Sequence, residues 1–159
     1  MKGFGEKKEV NQQSKNLSYT QGSISKQEKY EFNNLSKDQI IKSAFNCFST
    51  GDILQASRYY QYFLDRGFVD SEVFVNYGAI MRKLGKVDEA IKLYKKSIDL
   101  FPDKPAAYSN LGNLLSTLGK TKEAEGFLRR AIDLNPHFEN AYYNLGNLLH
   151  EIGDYKEAE

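Results

Sequence analysis

The sequence predicts an all-α fold built from stacked pairs of helices, and an internal repeat is the main reason. Segments 71–104 and 105–138 are each 34 residues long and share 11 identical positions. The 21 residues of 139–159 match 105–138 at 13 positions. Apolar residues within each segment recur at spacings of three and four, which is typical of one face of an α-helix. A fixed period of this length indicates a repeat architecture in which neighbouring units bury a common core.

The repeat array is predicted to cover 37–159 and to follow a polar segment at 1–34. The four units, numbered one to four, are 37–70, 71–104, 105–138 and the shortened 139–159. The polar segment is rich in Lys, Glu, Gln, Ser and Asn, and such a composition cannot bury enough apolar surface to order itself. We therefore expect 1–34 to be flexible, with Ser36 as the N-cap of the first helix.

Each unit is predicted to hold two helices, and unit three shows the division most clearly. Pro105 lies where the first helix begins, since its missing N–H costs no hydrogen bond there. Gly119 follows the last apolar residue of that helix, and glycine favours the left-handed conformation found at helix C-termini. A second apolar stripe follows, and Pro136 closes the unit. No strand pattern occurs in 37–159.

Small residues recur at the positions where the two helices of a unit would touch. The eighth position is glycine in units two to four, namely Gly78, Gly112 and Gly146. Alanine holds the twentieth position in all four units, namely Ala56, Ala90, Ala124 and Ala158. Glycine within a helix costs about 0.5–1 kcal/mol relative to alanine, so aligned glycines need a packing reason. We predict close contact between the paired helices at these positions.

Composition and charge exclude several classes of function. The net charge of +1 provides no field for nucleic acid or an acidic membrane. The chain has one cysteine, Cys47, and it has neither an apolar run at its start nor an apolar stretch long enough to cross a membrane. These features predict a cytoplasmic protein without a membrane span.

His137 and His150 are isolated histidines without a recurring set of ligands, so the sequence predicts no catalytic site, no metal site and no cofactor.

The repeat pattern resembles that of the tetratricopeptide repeat (TPR) family. The residues of unit three that match the family's signature are Tyr108, Leu111, Gly112, Leu115, Gly119, Ala124, Leu128, Ala131 and Pro136. The family's tryptophan at the fourth position is absent, and unit one lacks the closing proline. The resemblance implies a right-handed helical solenoid of antiparallel helix pairs. It also implies that the first helices of successive units line a concave groove that binds peptides or other proteins.

Asparagine recurs in register on the side of the first helices that is predicted to face this groove. The candidate groove residues are Asn76, Asn110 and Asn144 at the sixth position, Asn113 and Asn147 at the ninth, and Arg82 and His150 at the twelfth. Each side-chain amide offers two donors and an acceptor, so one amide per repeat could pair with the backbone of an extended peptide. The sixth-position residues resemble the asparagines that line the TPR groove of O-GlcNAc transferases. The alternative is that these side chains cap local backbone or are solvated.

The leading prediction is a TPR interaction module that binds a peptide or partner protein and has no catalytic activity. A second hypothesis is the substrate-recruiting N-terminal part of a TPR-containing transferase. A third is a self-associating scaffold. In that hypothesis, a homodimer forms through the incomplete unit four, whose first helix is expected to expose Leu145, Leu149 and Ile152.

Overall fold

Antiparallel helix pairs make up the fold, as the sequence predicts. The structure, a computed structural model of the chain, describes residues 33–153. Their helices are α1 (Lys37–Ser49), α2 (Ile53–Asp65), α3 (Ser71–Lys83), α4 (Val87–Leu100), α5 (Pro105–Thr117), α6 (Thr121–Leu134) and α7 (Glu139–Glu151). The closest packing joins α1 to α2, α3 to α4 and α5 to α6, which are the predicted pairs of units one to three. Residues 33–153 contain no strand.

The predicted helix boundaries of the array are confirmed at its first helix and in unit three. The Ser36 hydroxyl accepts a hydrogen bond of 3.3 Å from the Gln39 N–H, and the Gln39 side chain accepts one of 2.8 Å from the Ser36 N–H. This reciprocal pair satisfies two donors that a helix start leaves free. Pro105 is the first residue of α5. Most of the polar segment at 1–34 lies outside the described residues.

A glycine with positive φ follows each first helix. These residues hold the fifteenth position of their units and are Gly51, Gly85, Gly119 and Gly153, with φ between 72° and 85°. An L-residue rarely adopts this left-handed conformation, whereas glycine does so without steric cost. After α5 the turned chain brings the Lys120 N–H back to the Leu115 carbonyl at 2.9 Å, which closes the helix end. The glycines therefore set the sharp reversal that makes each pair antiparallel.

The predicted contact between paired helices is confirmed at the glycines of units two and three. A Cβ placed on Gly112 would lie 2.7 Å from Leu128 Cγ and 3.1 Å from the Ala124 carbonyl oxygen. A Cβ on Gly78 would lie 2.5 Å from Tyr94 Cε1. The glycines therefore face the bulky residue at the twenty-fourth position, and Ala124 contributes its backbone oxygen. This contact leaves no room for a side chain at the eighth position.

One prediction about α7 is wrong, because Leu145 and Leu149 are buried. They are 7% and 2% exposed, and they join the same apolar core as Leu111 and Leu115 of unit three. These leucines hold the seventh and eleventh positions, and α7 packs against both α5 and α6. The preceding unit therefore covers these positions, even though no helix of unit four is described beyond α7. Ile152 is 47% exposed, as predicted.

The fourth and eighth positions of α7 behave differently from those of earlier units. Tyr142 is 50% exposed, whereas Phe74 and Tyr108 at the same position are 4% and 8% exposed. No atom of residues 33–153 lies within 4 Å of a Cβ added to Gly146. In unit three both positions face the second helix of the same unit, since Leu128 lies against Gly112 and the Phe127 ring lies 6.3 Å from the Tyr108 ring. Among the described residues, none packs on the face of α7 that carries Tyr142 and Gly146.

Within 33–153, every helix is too short or too polar to traverse a lipid bilayer.

Candidate functional site

The first helices of units two, three and four lie side by side, which brings their sixth-position asparagines onto one surface. Helix α3 contacts α5, and α5 contacts α7. Asn76, Asn110 and Asn144 are all half-buried on these three helices. One amide per repeat thus lies at the sixth position of three neighbouring helices, and none of the three is buried. The three amides have different surroundings, and these differences decide what each one can bind.

Asn144 is held by the unit before it. Its Nδ2 donates to the Ser109 hydroxyl at 3.1 Å, and its Oδ1 accepts from Asn113 Nδ2 at 3.0 Å. Ser109 and Asn113 are one turn apart on α5, so the Asn144 side chain inserts between them. Ser109 is 1% exposed, which means that the Asn144 amide is the group that satisfies a buried hydroxyl. This three-residue polar contact fastens unit four to unit three.

The repeat pattern alone does not indicate Ser109 as a partner of Asn144. The two residues are 35 positions apart, and Asn113 and Asn144 are 31 apart. Relative to the 34-residue period, these separations are one more and three fewer. The fifth and ninth positions of one unit therefore meet the sixth position of the next. Ser109 and Asn113, the polar residues at positions five and nine of unit three, are the feature of the sequence from which this contact could be predicted.

Asn110 has no such partners, since the same rule places it opposite apolar residues. The fifth and ninth positions of unit two are Val75 and Ala79, which have no side-chain hydrogen-bonding group. Among residues 33–153, no hydrogen bond to the Asn110 side chain is found. Its amide is half-buried on the surface between Asn76 and Asn144. Both donors and the acceptor of Asn110 are therefore available to a ligand.

Asn76 lies near the buried hydroxyl of Tyr60 on α2. That hydroxyl is fully enclosed and makes no hydrogen bond to any residue in 33–153. Burial raises the pKa of Tyr60, and the Asn76 amide acts in the opposite direction more weakly. Asn76 is thus close enough to affect the hydroxyl but does not reach hydrogen-bonding geometry. A buried hydroxyl without a partner is unfavourable, and it lies next to a candidate groove residue.

The remaining candidate residues do not gather around one point. Arg82 is half-buried in the last turn of α3. Burial raises the pKa of Tyr94 on the paired helix α4, and the Arg82 charge opposes this rise more weakly. Asn147 and His150 are exposed on α7. No cluster of His, Cys, Asp and Glu that could bind a metal ion occurs in the described part of the chain. Cys47 is half-buried, and burial raises the pKa of its thiol.

The contact around Asn144 predicts a clear difference between two asparagines. Asn144→Ala is expected to lower the free energy of unfolding by about 1–2 kcal/mol, since two hydrogen bonds are lost and the Ser109 hydroxyl is left buried alone. Asn110→Ala removes no internal hydrogen bond, and alanine is the better helix former. We therefore expect Asn110→Ala to be neutral or slightly stabilising. Urea unfolding followed by circular dichroism checks both variants, and equal destabilisation would contradict this assignment.

Comparison with known proteins identifies the family. Two family models described as tetratricopeptide repeat match residues 70–136 and 127–159, and together they span more than half of the chain. The chain belongs to the tetratricopeptide repeat family. Its all-α repeat structure is therefore a TPR solenoid, and TPR proteins generally mediate protein–protein interaction. No match was found among curated protein sequences.

Several solved structures share this TPR fold. The chain is 26% identical to MamA over 77% of its own length and 67% of that chain, with a TM-score of 0.65. A mutant O-GlcNAc transferase of Thermobaculum terrenum is 24% identical over 72% of this chain, with a TM-score of 0.68. The matched region is only 22% of the transferase chain, so the likeness concerns the fold alone. YrrB, described as a TPR protein with an unusual peptide-binding site, is 17% identical over 83% of this chain and 68% of its own, with a TM-score of 0.66.

Proposed function

We propose that this TPR array binds an extended peptide segment of a partner protein along the surface formed by α3, α5 and α7. The observation that carries the proposal is the half-buried Asn110 amide, which no described residue satisfies. A peptide backbone presents one N–H and one C=O per residue, and a side-chain amide can pair with both. Asn76 lies on one side of Asn110, and Asn113 and Asn144 lie on the other.

The separate surroundings of the asparagines assign them separate roles in this proposal. Asn110 and Asn76 bind the peptide backbone, while Asn144 holds the groove together through Ser109 and Asn113. Asn113 keeps its Oδ1 for the ligand, because only its Nδ2 bonds to Asn144. Arg82, Asn147 and His150 flank this row at the twelfth and ninth positions, where they would contact side chains of the bound peptide. Hydrogen bonds to the ligand backbone provide affinity with weak sequence preference.

The test is a peptide selected by display on the immobilised chain, with its affinity measured by fluorescence anisotropy. Asn110→Ala is expected to weaken binding roughly tenfold, since each lost hydrogen bond contributes about 0.5–1.5 kcal/mol. The Asn76→Ala/Asn110→Ala double variant is expected to weaken it further. Asn46→Ala is the matched control, because Asn46 is exposed at the tenth position of α1. Unchanged affinity in the double variant would refute the role of the asparagines.

The open face of α7 supports a second candidate, self-association. Tyr142, Tyr143 and Ile152 are 50%, 71% and 47% exposed, and Gly146 leaves room for a close approach. We expect sedimentation analysis to detect a dimer at high protein concentration that Tyr142→Ser/Tyr143→Ser removes. Phe45→Ser, which changes an exposed aromatic side chain on α1, is expected to leave the dimer intact. A strict monomer at high concentration would contradict this candidate.

The transferase hypothesis stays a prediction, since no residue of 33–153 is assigned a catalytic role.

A further inference from the structure

A small open pocket lies on the second helix of unit three, apart from the row of asparagines. Its volume is about 240 Å³. The lining residues are Tyr108, Lys122, Glu123, Gly126, Phe127 and Arg130. None of them is a candidate groove residue. We call this pocket the Gly126 notch.

Gly126 is the feature that requires an explanation. It lies in the middle of α6, where glycine is unfavourable relative to alanine. Gly78 and Gly112 are explained by their contacts with the paired helix, but an added Cβ on Gly126 would meet no atom within 4 Å. The equivalent residues of units one and two are Arg58 and Lys92, which have long side chains. No packing within the described chain accounts for the missing side chain, and its absence is what opens the notch.

The floor of the notch is aromatic and held in place. The Tyr108 and Phe127 rings lie 6.3 Å apart at an interplanar angle of 43°. The Tyr108 hydroxyl donates to the Pro102 carbonyl oxygen at 3.1 Å, so its polar end is already satisfied inside the protein. Tyr108 is 8% exposed, and it is one of the residues that line the notch. An apolar or aromatic side chain entering above Gly126 would therefore meet a fixed apolar surface.

Two cations lie at opposite ends of the notch. Lys122 and Arg130 are each one turn from Gly126, in the two directions along α6. Both are exposed, and neither forms an ion pair with a residue in 33–153. Glu123 lies on the rim and leaves one net positive charge on the lining. The volume is below the roughly 300–1,000 Å³ of small-molecule sites, so the notch has room for one side chain.

We infer that the Gly126 notch is a second docking site, which receives a large apolar or aromatic side chain of a partner protein that carries carboxylates on both sides of it. The apolar side chain enters through the gap at Gly126 and packs on Phe127 and Tyr108. The flanking carboxylates reach Lys122 and Arg130. Because the notch shares no residue with the asparagine row, this inference does not depend on the proposed function.

The experiment is a titration of the full chain, labelled with ¹⁵N, with a synthetic pentapeptide followed by NMR. The peptide has one phenylalanine with two glutamates on each side. We expect saturable shifts of the Gly126 and Phe127 backbone amides. Two control peptides replace the phenylalanine with alanine or all glutamates with lysine. Both are expected to bind at least tenfold more weakly.

Protein variants connect the signal to the notch. Gly126→Lys gives unit three the residue that unit two has at this position, and it is compatible with a helix. It is expected to weaken peptide binding at least tenfold without lowering the melting midpoint. Arg130→Ala is expected to weaken binding several-fold. Lys96→Ala, the equivalent change in unit two, is expected to leave it unchanged.

Three results would overturn the inference. The first is the absence of saturable shifts at millimolar peptide. The second is unchanged affinity in Gly126→Lys. The third is a response confined to the side-chain amides of Asn76, Asn110 and Asn144, which would assign the acidic peptide to the groove instead. Failure of the groove proposal would appear in the Asn110→Ala affinity and would leave the Gly126 signals unaffected.

Discussion

Gly112→Leu is expected to lower the free energy of unfolding by about 1–3 kcal/mol, the usual cost of overpacking a core. Even the first carbon of the new side chain would lie 2.7 Å from Leu128 Cγ and 3.1 Å from the Ala124 carbonyl oxygen. Leu128 is fully buried, and the Ala124 oxygen belongs to the α6 backbone. Neither can move aside unless α5 and α6 separate. Urea unfolding followed by circular dichroism measures the loss.

Gly126→Ala is the matched control for Gly112→Leu. Both glycines lie inside helices of unit three, but Gly126 has open space where its Cβ would be. Its replacement should therefore stabilise the protein by about 0.5–1 kcal/mol through helix propensity alone. If Gly112→Leu lowers the free energy of unfolding and Gly126→Ala raises it, then helix packing is the reason for the glycine at the eighth position. A Gly112→Leu variant with an unchanged unfolding midpoint would show that the helices do not meet there.

Alkaline pH is expected to destabilise the fold through its buried tyrosines. Burial raises the pKa of Tyr94 from its ordinary value of 10 to about 12, and it raises the pKa of Tyr60 and Tyr77 as well. Below pH 10 the Tyr94 hydroxyl is protonated in both the folded and the unfolded chain, so its contribution to stability is complete. Between pH 10 and 12 the unfolded chain ionises first, and stability falls. At pH 11 the loss from Tyr94 is about 1.4 kcal/mol.

Tyr94→Phe isolates this contribution. The variant has no hydroxyl to ionise, so the decrease in its free energy of unfolding between pH 8 and pH 11 should be smaller than that of the wild type by about 1.4 kcal/mol. Tyr143→Phe, which alters a side chain that is 71% exposed, is the control and should follow the wild type. Unfolding in urea at the two pH values gives the comparison. Identical pH dependence in Tyr94→Phe and the wild type would contradict the assignment.

The period of the sequence is enough to predict the helix pairs and the contact within each pair. Gly112 and Ala124 recur in register, and the reason for their recurrence is local to one unit. The same holds for Gly119, because a tight reversal requires a left-handed residue. These features depend on residues within one 34-residue segment, so one segment contains the information.

Contacts between units were harder to predict. The repeat pattern predicts Asn144 as a groove residue, but it does not predict the bonds of Asn144 to Ser109 and Asn113 of the preceding unit. The prediction that Leu145 is exposed is wrong for a related reason. The apolar stripe of α7 shows which residues are buried but does not show which neighbouring helix covers each of them. Both depend on how far successive first helices are offset along their axes. That offset results from the packing of two units and is not present in the pattern of either one.

The polar contact between Ser109, Asn113 and Asn144 has a consequence for how the array opens. In a solenoid each repeat contacts only its neighbours, so stability is close to a sum over the boundaries between units. Detachment of α7 exposes Leu145 and Leu149, but water can replace the hydrogen bonds of Asn144, whereas it cannot compensate for the loss of apolar contact at Val75 and Ala79 of the preceding boundary. Helix α7 should therefore detach in brief local excursions while α3 to α6 remain folded. Hydrogen exchange would detect this opening as faster exchange of the α7 backbone amides. The hydrogen bonds of Asn144 oppose the opening and therefore slow that exchange.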